Sequence, residues 1–243
     1  MTQPVVIIGG TRGTGLLIAR RLIDQRVPVR VLARDPVRAR TLFDRSAEIV
    51  SGDITKAETL PDALGGARHV VFTAGCRSGY PAGERRIKAT EYHGVINTLS
   101  AARERGFSGR LLYMTASGLT TPSLSSRALN LWKGNTLVWR RRAEADIRAS
   151  GIDYTVIRAG FLLNAPGNRH RIAITQTPLP LSFRYRIARA DVARIFVAAL
   201  DHPRASRATF ETVWGPRGVP GDVSRLLDSL TPDGELKPHD RGL

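Results

Sequence analysis

Short apolar runs alternate along the chain with longer segments in which apolar residues recur every three or four positions. Strands buried on both faces are typically apolar throughout, and helical segments between such strands indicate a parallel sheet covered on both sides. We therefore predict an α/β fold with a doubly wound parallel sheet and a ligand crevice at the carboxyl ends of its strands. The six runs are residues 4–10, 28–34, 47–53, 69–75, 110–116 and 154–160.

The pattern becomes less regular after Gly160. Residues 171–176 and 208–214 indicate two late strands, and residues 188–200 indicate a helix. The tail from Pro216 is rich in Pro, Gly and Asp, which is typical of a partly mobile segment.

Length and composition fit one globular domain. The 243 residues are 42% hydrophobic, and with no repeat or second core we expect one domain over residues 1–243. Within it, about residues 161–243 should form a small C-terminal substrate lobe and tail. One cysteine, Cys76, excludes an internal disulfide and is consistent with a reducing cytoplasm. The first residues indicate a strand rather than a signal peptide, and no apolar run approaches the ~20 residues of a membrane span.

The formal net charge is +16, and all but four of the 37 basic residues are arginines. Such a charge is typical of proteins that bind nucleic acid or anionic membranes. Here, however, the arginines are spread over every segment, and no basic tract is interleaved with aromatic residues. We therefore expect a solvated basic surface and no nucleic-acid or membrane partner, with a few cations offsetting an anionic cofactor.

A glycine-rich turn, GGTRGTG, joins the first run to the first helical segment. Glycine there permits a tight turn, close approach of backbone to a phosphate, and close packing of helix on strand. The free N–H groups and positive dipole of the following helix favour a pyrophosphate. This context predicts a dinucleotide site that includes Gly9, Thr11, Arg12, Gly13, Thr14 and Gly15.

Arg34 ends the second run, where an acidic residue would bind the ribose 2′-hydroxyl of NAD. A guanidinium instead suits a phosphate in charge and geometry, and Arg12 and Arg38 are expected nearby. We therefore predict NADP(H) as the cofactor. Asp35 directly follows Arg34, and we interpret it as a helix N-cap before Pro36.

Two further strand ends should border the cofactor. Asp53 and Ile54 follow the third run and are expected beside the adenine. Thr73, Ala74 and Gly75 end the fourth run and are expected to line the ribose and phosphates.

Seven motifs, spread over about residues 4–200, carry a resemblance to a known family. They are GGTRGTG, VLARDPVRA, SGDIT, VVFTAG, YMTASG, AEADIRASGIDYTVIRAG and ARADVA. Together they resemble the atypical branch of the short-chain dehydrogenase/reductase superfamily, which includes NmrA-like regulators and biliverdin reductase B-type flavin reductases. The resemblance implies a Rossmann-type sheet, NADP(H) binding and, in some members, reduction of small aromatic or quinoid acceptors.

The proton-donating pair of that superfamily is absent here. Catalytic members use a tyrosine as the acid and, four residues later, a lysine that lowers its pKa. The resemblance places Thr136 and Arg140 at these positions, and an aliphatic hydroxyl holds its proton too tightly to replace a phenol. Arg140 can still bind ribose hydroxyls. Ser117, with Thr115 on the same strand face, either binds a substrate oxygen or caps backbone.

Other residues near the expected crevice could shape it. Arg158 and Gly160 end the sixth run and are expected at the nicotinamide pocket. Trp132, Trp139 and Phe161 could stack on a flat acceptor, although we favour a core position for Trp139.

Two functions remain open at this point. In the first, the protein is an NADPH-dependent reductase whose small aromatic, quinone or flavin-like acceptor needs no protein acid. In the second, it binds NADP(H) without turnover, as a redox-sensing or scaffolding module. No metal site is expected, because the histidines and the cysteine lack metal-ligand spacing, and Ser117 lies in no GxSxG motif.

Overall fold

The computed structural model describes residues 3–76, 83–121, 123–216 and 218–236. A central sheet of eight strands runs through it, and a separate sheet of two short strands lies beside it. The strands are β1 (Val5–Ile8), β2 (Val29–Ala33), β3 (Glu48–Ser51), β4 (His69–Phe72), β5 (Arg110–Ala116), β6 (Asp153–Ala159), β7 (Phe161–Leu163), β8 (Ile172–Thr175), β9 (Arg186–Ala188) and β10 (Ala208–Trp214).

The large sheet has the order β3-β2-β1-β4-β5-β6-β10-β8. Its first seven strands are parallel, and β8 closes the edge antiparallel to β10. The order reverses between β1 and β4, so a crevice opens there at the carboxyl ends of the strands. The predicted doubly wound α/β sheet is thereby confirmed.

Helices cover both faces of this sheet. A π turn, Ala89–His93, joins α4 to α5 in one continuous helical segment. The helices are α1 (Gly13–Asp24), α2 (Pro36–Phe43), α3 (Pro61–Leu64), α4 (Glu84–Lys88), α5 (Gly94–Glu104), α6 (Leu124–Trp132), α7 (Thr136–Ala149), α8 (Arg189–Ala199) and α9 (Val223–Leu227). None of the helices within the described ranges is long and apolar enough to cross a bilayer.

The core has two parts, one on each face of the sheet, because successive side chains of a strand point to opposite faces. Ile7 belongs to the cluster under α1 and α8, where it packs with Ile18 and Phe196. Its neighbour Ile8 belongs to the cluster on the other face, under α5 and α7, with Val95. Successive strand residues point to opposite faces, so a strand buried on both sides must be apolar throughout.

The chain after Gly160 is more closely integrated than its sequence pattern indicates. The strands β8 and β10 belong to the large sheet, and only β7 and β9 form a sheet of their own. These two strands have three residues each, too few for a period to be visible, and the sequence did not predict them. The tail packs as well, because Leu227 and Leu230 are buried.

Arg110 ties the start of β5 to the end of α8. Its Nε donates to Asp153 at 2.8 Å, and one terminal nitrogen donates to the carbonyl oxygens of Ala199 at 2.8 Å and His202 at 2.9 Å. The side chain is 9% exposed. Carbonyl groups at a helix C-terminus lack helical partners, so this guanidinium satisfies groups that would otherwise be buried unpaired.

Arg110→Ala should lower the free energy of unfolding by about 2–3 kcal/mol, because Oδ2 of Asp153 and several buried carbonyls lose their donor. Arg105→Ala is the matched control. Its partner Asp62 is 90% exposed, so the loss should stay below about 1 kcal/mol. Urea unfolding of both variants measures the difference. Equal losses would contradict the structural role of Arg110.

Candidate cofactor and substrate site

The glycine-rich turn holds α1 tightly against the strands. Gly9 has a φ of 90°, and a Cβ on it would lie 2.7 Å from the backbone nitrogen of Ala74. A Cβ on Gly15 would overlap the carbonyl oxygen of Gly9 and the hydroxyl of Thr73. Larger residues at either position would therefore push the helix away from the turn.

The start of α1 is suited to an anion. Its N-cap residue, Arg12, makes no side-chain cap, and no acidic residue occupies the first turn. The hydroxyl of Thr14 is buried without a hydrogen-bond partner. Uncapped amides, an orphaned hydroxyl and the helix dipole together fit the pyrophosphate of a dinucleotide.

Arg189, at the start of α8, faces the same turn and was not singled out in the sequence. Gly13 has a φ of 53°, and a Cβ on it would lie 3.7 Å from Nε of Arg189. One terminal nitrogen of Arg189 donates to Asn164 at 3.0 Å and to the carbonyl oxygen of Leu162 at 3.2 Å. These bonds hold a cation beside the phosphate position. Arg189 belongs to the ARADVA motif, but its place in the sequence does not show that it lies next to Gly13 in the folded chain.

The three arginines predicted for the 2′-phosphate are exposed: Arg12, Arg34 and Arg38. One terminal nitrogen of Arg12 approaches the carbonyl oxygen of Gly75 at 3.4 Å. Asp35 accepts a hydrogen bond from the Arg38 amide at 3.0 Å and caps α2. Asp35 is therefore the N-cap of α2, as predicted.

The other predicted cofactor residues have mixed surroundings. The Asp53 carboxylate is bonded within its own turn, because Oδ1 accepts from the amide and hydroxyl of Thr55, both at 2.9 Å. Ile54 is buried. Thr73 donates its hydroxyl to the carbonyl oxygen of Ile8 at 3.1 Å. These residues frame the crevice chiefly through backbone and packing.

Thr136 and Arg140 lie one turn apart on α7, and both contact Glu91 of the π turn. Arg140 donates Nε to Oε2 of Glu91 at 3.0 Å and a terminal nitrogen to Oε1 at 3.1 Å. The Thr136 hydroxyl donates to Oε2. The Cys76 amide donates to Oε1 at 3.1 Å, and Nζ of Lys133 lies 3.6 Å from it. The positions of the missing tyrosine and lysine thus form a closed cluster around one carboxylate.

Glu91 is ionised in this cluster. Burial opposes its ionisation, but the charge and hydrogen bonds of Arg140, with help from Lys133 and Thr136, lower its pKa to about 2. Its side chain is 1% exposed. Sequence reasoning missed this residue, because Glu91 and Arg140 are far apart in the chain and no spacing rule connects them.

Arg140 is consequently less available to a ribose than its sequence position indicates. Glu91 takes two of its guanidinium nitrogens. It still borders the cofactor edge, because a Cβ on Gly75 would lie 3.1 Å from its terminal nitrogen.

The surroundings of Arg158 and Gly160 differ from the nicotinamide pocket that the sequence predicted for them. The Arg158 side chain is 3% exposed and donates to Glu144 of α7 at 2.7 Å and 3.2 Å. It therefore lies inside the protein, between β6 and α7. A Cβ on Gly160 would overlap the carbonyl oxygen of Tyr185, so this glycine admits the chain segment before β9 and need not face a nicotinamide.

Ser117 and Thr115 are both buried, and neither hydroxyl has a hydrogen-bond partner. This excludes the interpretation of Ser117 as a backbone-capping hydroxyl in the present conformation. The segment 176–185 covers it, because Gly118 donates its amide to the carbonyl oxygen of Leu179 at 2.9 Å.

The three candidate aromatic residues separate into two environments. Trp139 is 8% exposed and donates to Glu84 at 3.0 Å, which agrees with a core position. Trp132 is 59% exposed, and Phe161 is 48% exposed and packs edge-on against Phe183. The latter two can therefore contact a ligand.

No group of three or more potential metal-binding side chains occurs in the part of the chain that the structure describes. His239 lies outside those residues.

Comparison with known proteins places this geometry in a family. The model of a family described as NAD(P)H-binding matches residues 9–203. Sanguinarine reductase of Eschscholzia californica is 27% identical, over 93% of this chain and 94% of its own length. NAD(P)H azoreductase of Xenophilus azovorans is 24% identical, over 93% of this chain and 73% of its own. The solved oxidoreductase ylbE of Lactococcus lactis has a TM-score of 0.77 at 16% identity, and the match covers 94% of this chain and 96% of that one.

Replacing Glu91 by Gln should remove an acid-sensitive part of the stability. The pKa of Glu91 is lowered from 4.5 to about 2 in the folded chain, so its ionisation stabilises the fold above pH 4.5, and this stabilisation is lost as the pH falls towards 2. The linkage amounts to about 3 kcal/mol. Urea unfolding at decreasing pH should show wild type and Glu91→Gln converging over this window. The exposed Glu58→Gln is the control and should follow wild type. A constant gap between Glu91→Gln and wild type would contradict the assignment.

Proposed function

Because the chain belongs to the NAD(P)H-binding family, we propose that it is an NADP(H)-dependent oxidoreductase that transfers hydride to a small aromatic, quinone or flavin-like acceptor. The observation that carries the proposal is the contrast between two parts of the site. The phosphate-binding turn is complete, whereas Glu91 closes the position of the usual tyrosine and lysine.

NADP(H) is proposed over NAD(H) because of the charges around the end of β2. The exposed Arg12, Arg34 and Arg38 can reach a phosphate, and the nearby Asp35 is occupied as a helix cap. A guanidinium binds a phosphate with two parallel hydrogen bonds, which a ribose hydroxyl cannot match. The turn Gly9–Gly15 and Arg189 would hold the pyrophosphate.

The acceptor class follows from the missing phenol. The bound dinucleotide supplies hydride, and the chain's own task is to bind and orient the acceptor and to exclude water. Thr136 cannot donate its proton as a phenol does, because its hydroxyl is already given to Glu91. Acceptors that become reduced without a phenol in the protein are quinones, flavins and similar conjugated rings. Trp132 and Phe161 offer exposed aromatic faces for such a ring.

The relatives support a reductase of small molecules. Two of them are described as a sanguinarine reductase and an NAD(P)H azoreductase. We further propose a cytoplasmic location, because the single cysteine is a free thiol, as a reducing compartment allows.

A second candidate is an NADP(H)-binding protein without turnover. The buried ion pair between Glu91 and Arg140 favours it, because this pair replaces the proton relay with a structural contact.

An activity panel separates the two candidates. NADPH oxidation should be measured with quinones, flavins and simple ketones as acceptors. Turnover with a quinone or flavin that exceeds turnover with ketones supports the reductase. Tight NADPH binding without oxidation in the whole panel supports the non-catalytic protein.

Arg34→Asp should weaken NADPH binding at least about tenfold, or about 1.4 kcal/mol, while NADH binding changes by less than about threefold. The physical reason is loss of the cation that faces the 2′-phosphate. Arg40→Asp, an exposed charge reversal on the following helix α2, is the control for general electrostatics. Titration calorimetry with both cofactors measures the constants. Equal weakening of NADPH and NADH by Arg34→Asp would refute the 2′-phosphate assignment.

A further inference from the structure

A cluster of ionisable side chains is buried against the sheet, under α7. Its acids are Glu144, Glu211 and Asp233, exposed by 0%, 2% and 4% respectively. Its cations are Arg148 and Arg158, whose side chains are 16% and 3% exposed. Burial of an unpaired charge costs several kcal/mol, so the charges of this cluster must nearly cancel.

The distances show which of the three carboxyl groups lies farthest from a guanidinium. Glu144 lies 2.7 Å from Arg158 and 2.8 Å from Arg148, and Asp233 lies 3.3 Å from Arg148. Glu211 is the most distant, at 3.7 Å from Arg158. Three carboxyl groups thus share two guanidiniums, and the third can be accommodated most easily as a neutral acid. Burial accordingly raises the pKa of Glu211 to about 7, against the opposing effects of Ser117 and Arg158, and Glu144 adds to the rise.

The sheet register places Glu211 on the same face as the candidate substrate hydroxyls, with Arg158 between Glu211 and Thr115. Thr115, Arg158 and Glu211 are matched residues on the adjacent strands β5, β6 and β10 and therefore lie on one face. Ser117 follows Thr115 on that face and adjoins the carboxyl of Glu211 closely enough to lower its pKa, although the two groups do not reach hydrogen-bonding geometry.

Three polar atoms here lack partners. They are Oγ1 of Thr115, Oγ of Ser117 and Oε2 of Glu211. More than nine-tenths of buried polar groups in proteins are hydrogen-bonded, so three orphans on one face indicate a polar group that the protein is built to receive. The segment 176–185 covers this place, which lies at the carboxyl end of β5 and hence at the crevice edge.

We propose that Glu211 is a positioning and proton-supplying residue that acts through Ser117 on an acceptor oxygen bound at this end of β5. The inference rests on the proposed reductase function and narrows its substrate, among the acceptors named there, to a quinone. Glu211 thereby takes the role that the phenol has in related enzymes, from strand β10 and not from α7.

The proton transfer balances. A bound dinucleotide would supply hydride to the acceptor, and the acceptor oxygen takes the proton of the Ser117 hydroxyl. In the same step Ser117 takes the proton of the Glu211 carboxylic acid, so that no alkoxide forms, and Glu211 becomes a carboxylate beside Arg158. Solvent then returns one proton to Glu211. The net reaction consumes one NADPH, one proton and one acceptor.

The simpler alternative makes Glu211 only a counter-ion of Arg158. In that case Glu211→Gln would lower stability and leave the pH dependence of turnover as in wild type. The two roles therefore predict different pH dependences of kcat for Glu211→Gln, because loss of a purely structural residue leaves that dependence unchanged.

The test combines infrared titration with kinetics on the full chain. In wild type, a protonated-carboxyl band should titrate near pH 7, and kcat with a quinone should fall through the same midpoint as the pH rises. Glu211→Gln should lose the band, lower kcat about tenfold with a flat profile, and leave KM for NADPH within about twofold. Ser117→Ala should shift the band midpoint and lower kcat as well. Thr212→Val, on the other face of β10, is the packing control and should retain the wild-type profile.

Three results would overturn the inference: no titrating band in wild type, an unmoved midpoint in Ser117→Ala, or a wild-type pH profile in Glu211→Gln. If Glu211→Gln does not fold, the wild-type band and its midpoint in Ser117→Ala decide whether the inference holds. If no acceptor is reduced by wild type, the reductase proposal fails by itself. The shift of the band in Ser117→Ala then decides alone whether the carboxyl and hydroxyl share a proton.

Discussion

Neutralisation of buried charge governs how this protein is built around its crevice. Desolvating one ion is costly, and the chain places two separate groups of ions between the sheet and the helices that cover it. Around Arg140 the balance is reached by one fully ionised carboxylate, Glu91. Around Arg158 three carboxyl groups share two guanidiniums, and burial raises the pKa of Glu211 to about 7. The same physical requirement thus produces an ion pair in one group and a raised carboxyl pKa in the other.

This division changes how the loss of the tyrosine and lysine is understood. A gap at those positions would have left an open, wet hole in the crevice wall. Instead Glu91 links Thr136 and Arg140, and the wall is sealed by hydrogen bonds. The cofactor edge keeps its shape, because Gly75 still lies directly against the guanidinium. Cofactor binding and proton supply are therefore physically separable in this fold.

The sequence predicted the sheet, its crossover pattern, the glycine-rich turn and the family, because each of these depends on local spacing. Buried parallel strands and the turn before α1 have signatures within a few residues, and the resemblance to the atypical reductases is confirmed by family membership. The sequence did not predict Glu91, Arg189 or the buried position of Arg158. Their roles depend on contacts between residues 49, 176 and 14 positions apart, for which a single chain offers no pattern. The three-residue strands β7 and β9 were missed because a period cannot be recognised in so short a run.

The π turn between α4 and α5 makes the position of Glu91 depend on the number of residues in this helical segment. A π turn contains one more residue than the α-helix it interrupts, and successive helical residues are rotated by about 100°. Loss of a single codon before Glu91 would convert the segment to a regular helix and swing this carboxylate out of the crevice wall. Arg140 would then be released without any substitution of its own. The length of this helical segment, as well as the side chains of the crevice wall, therefore sets whether the site is closed.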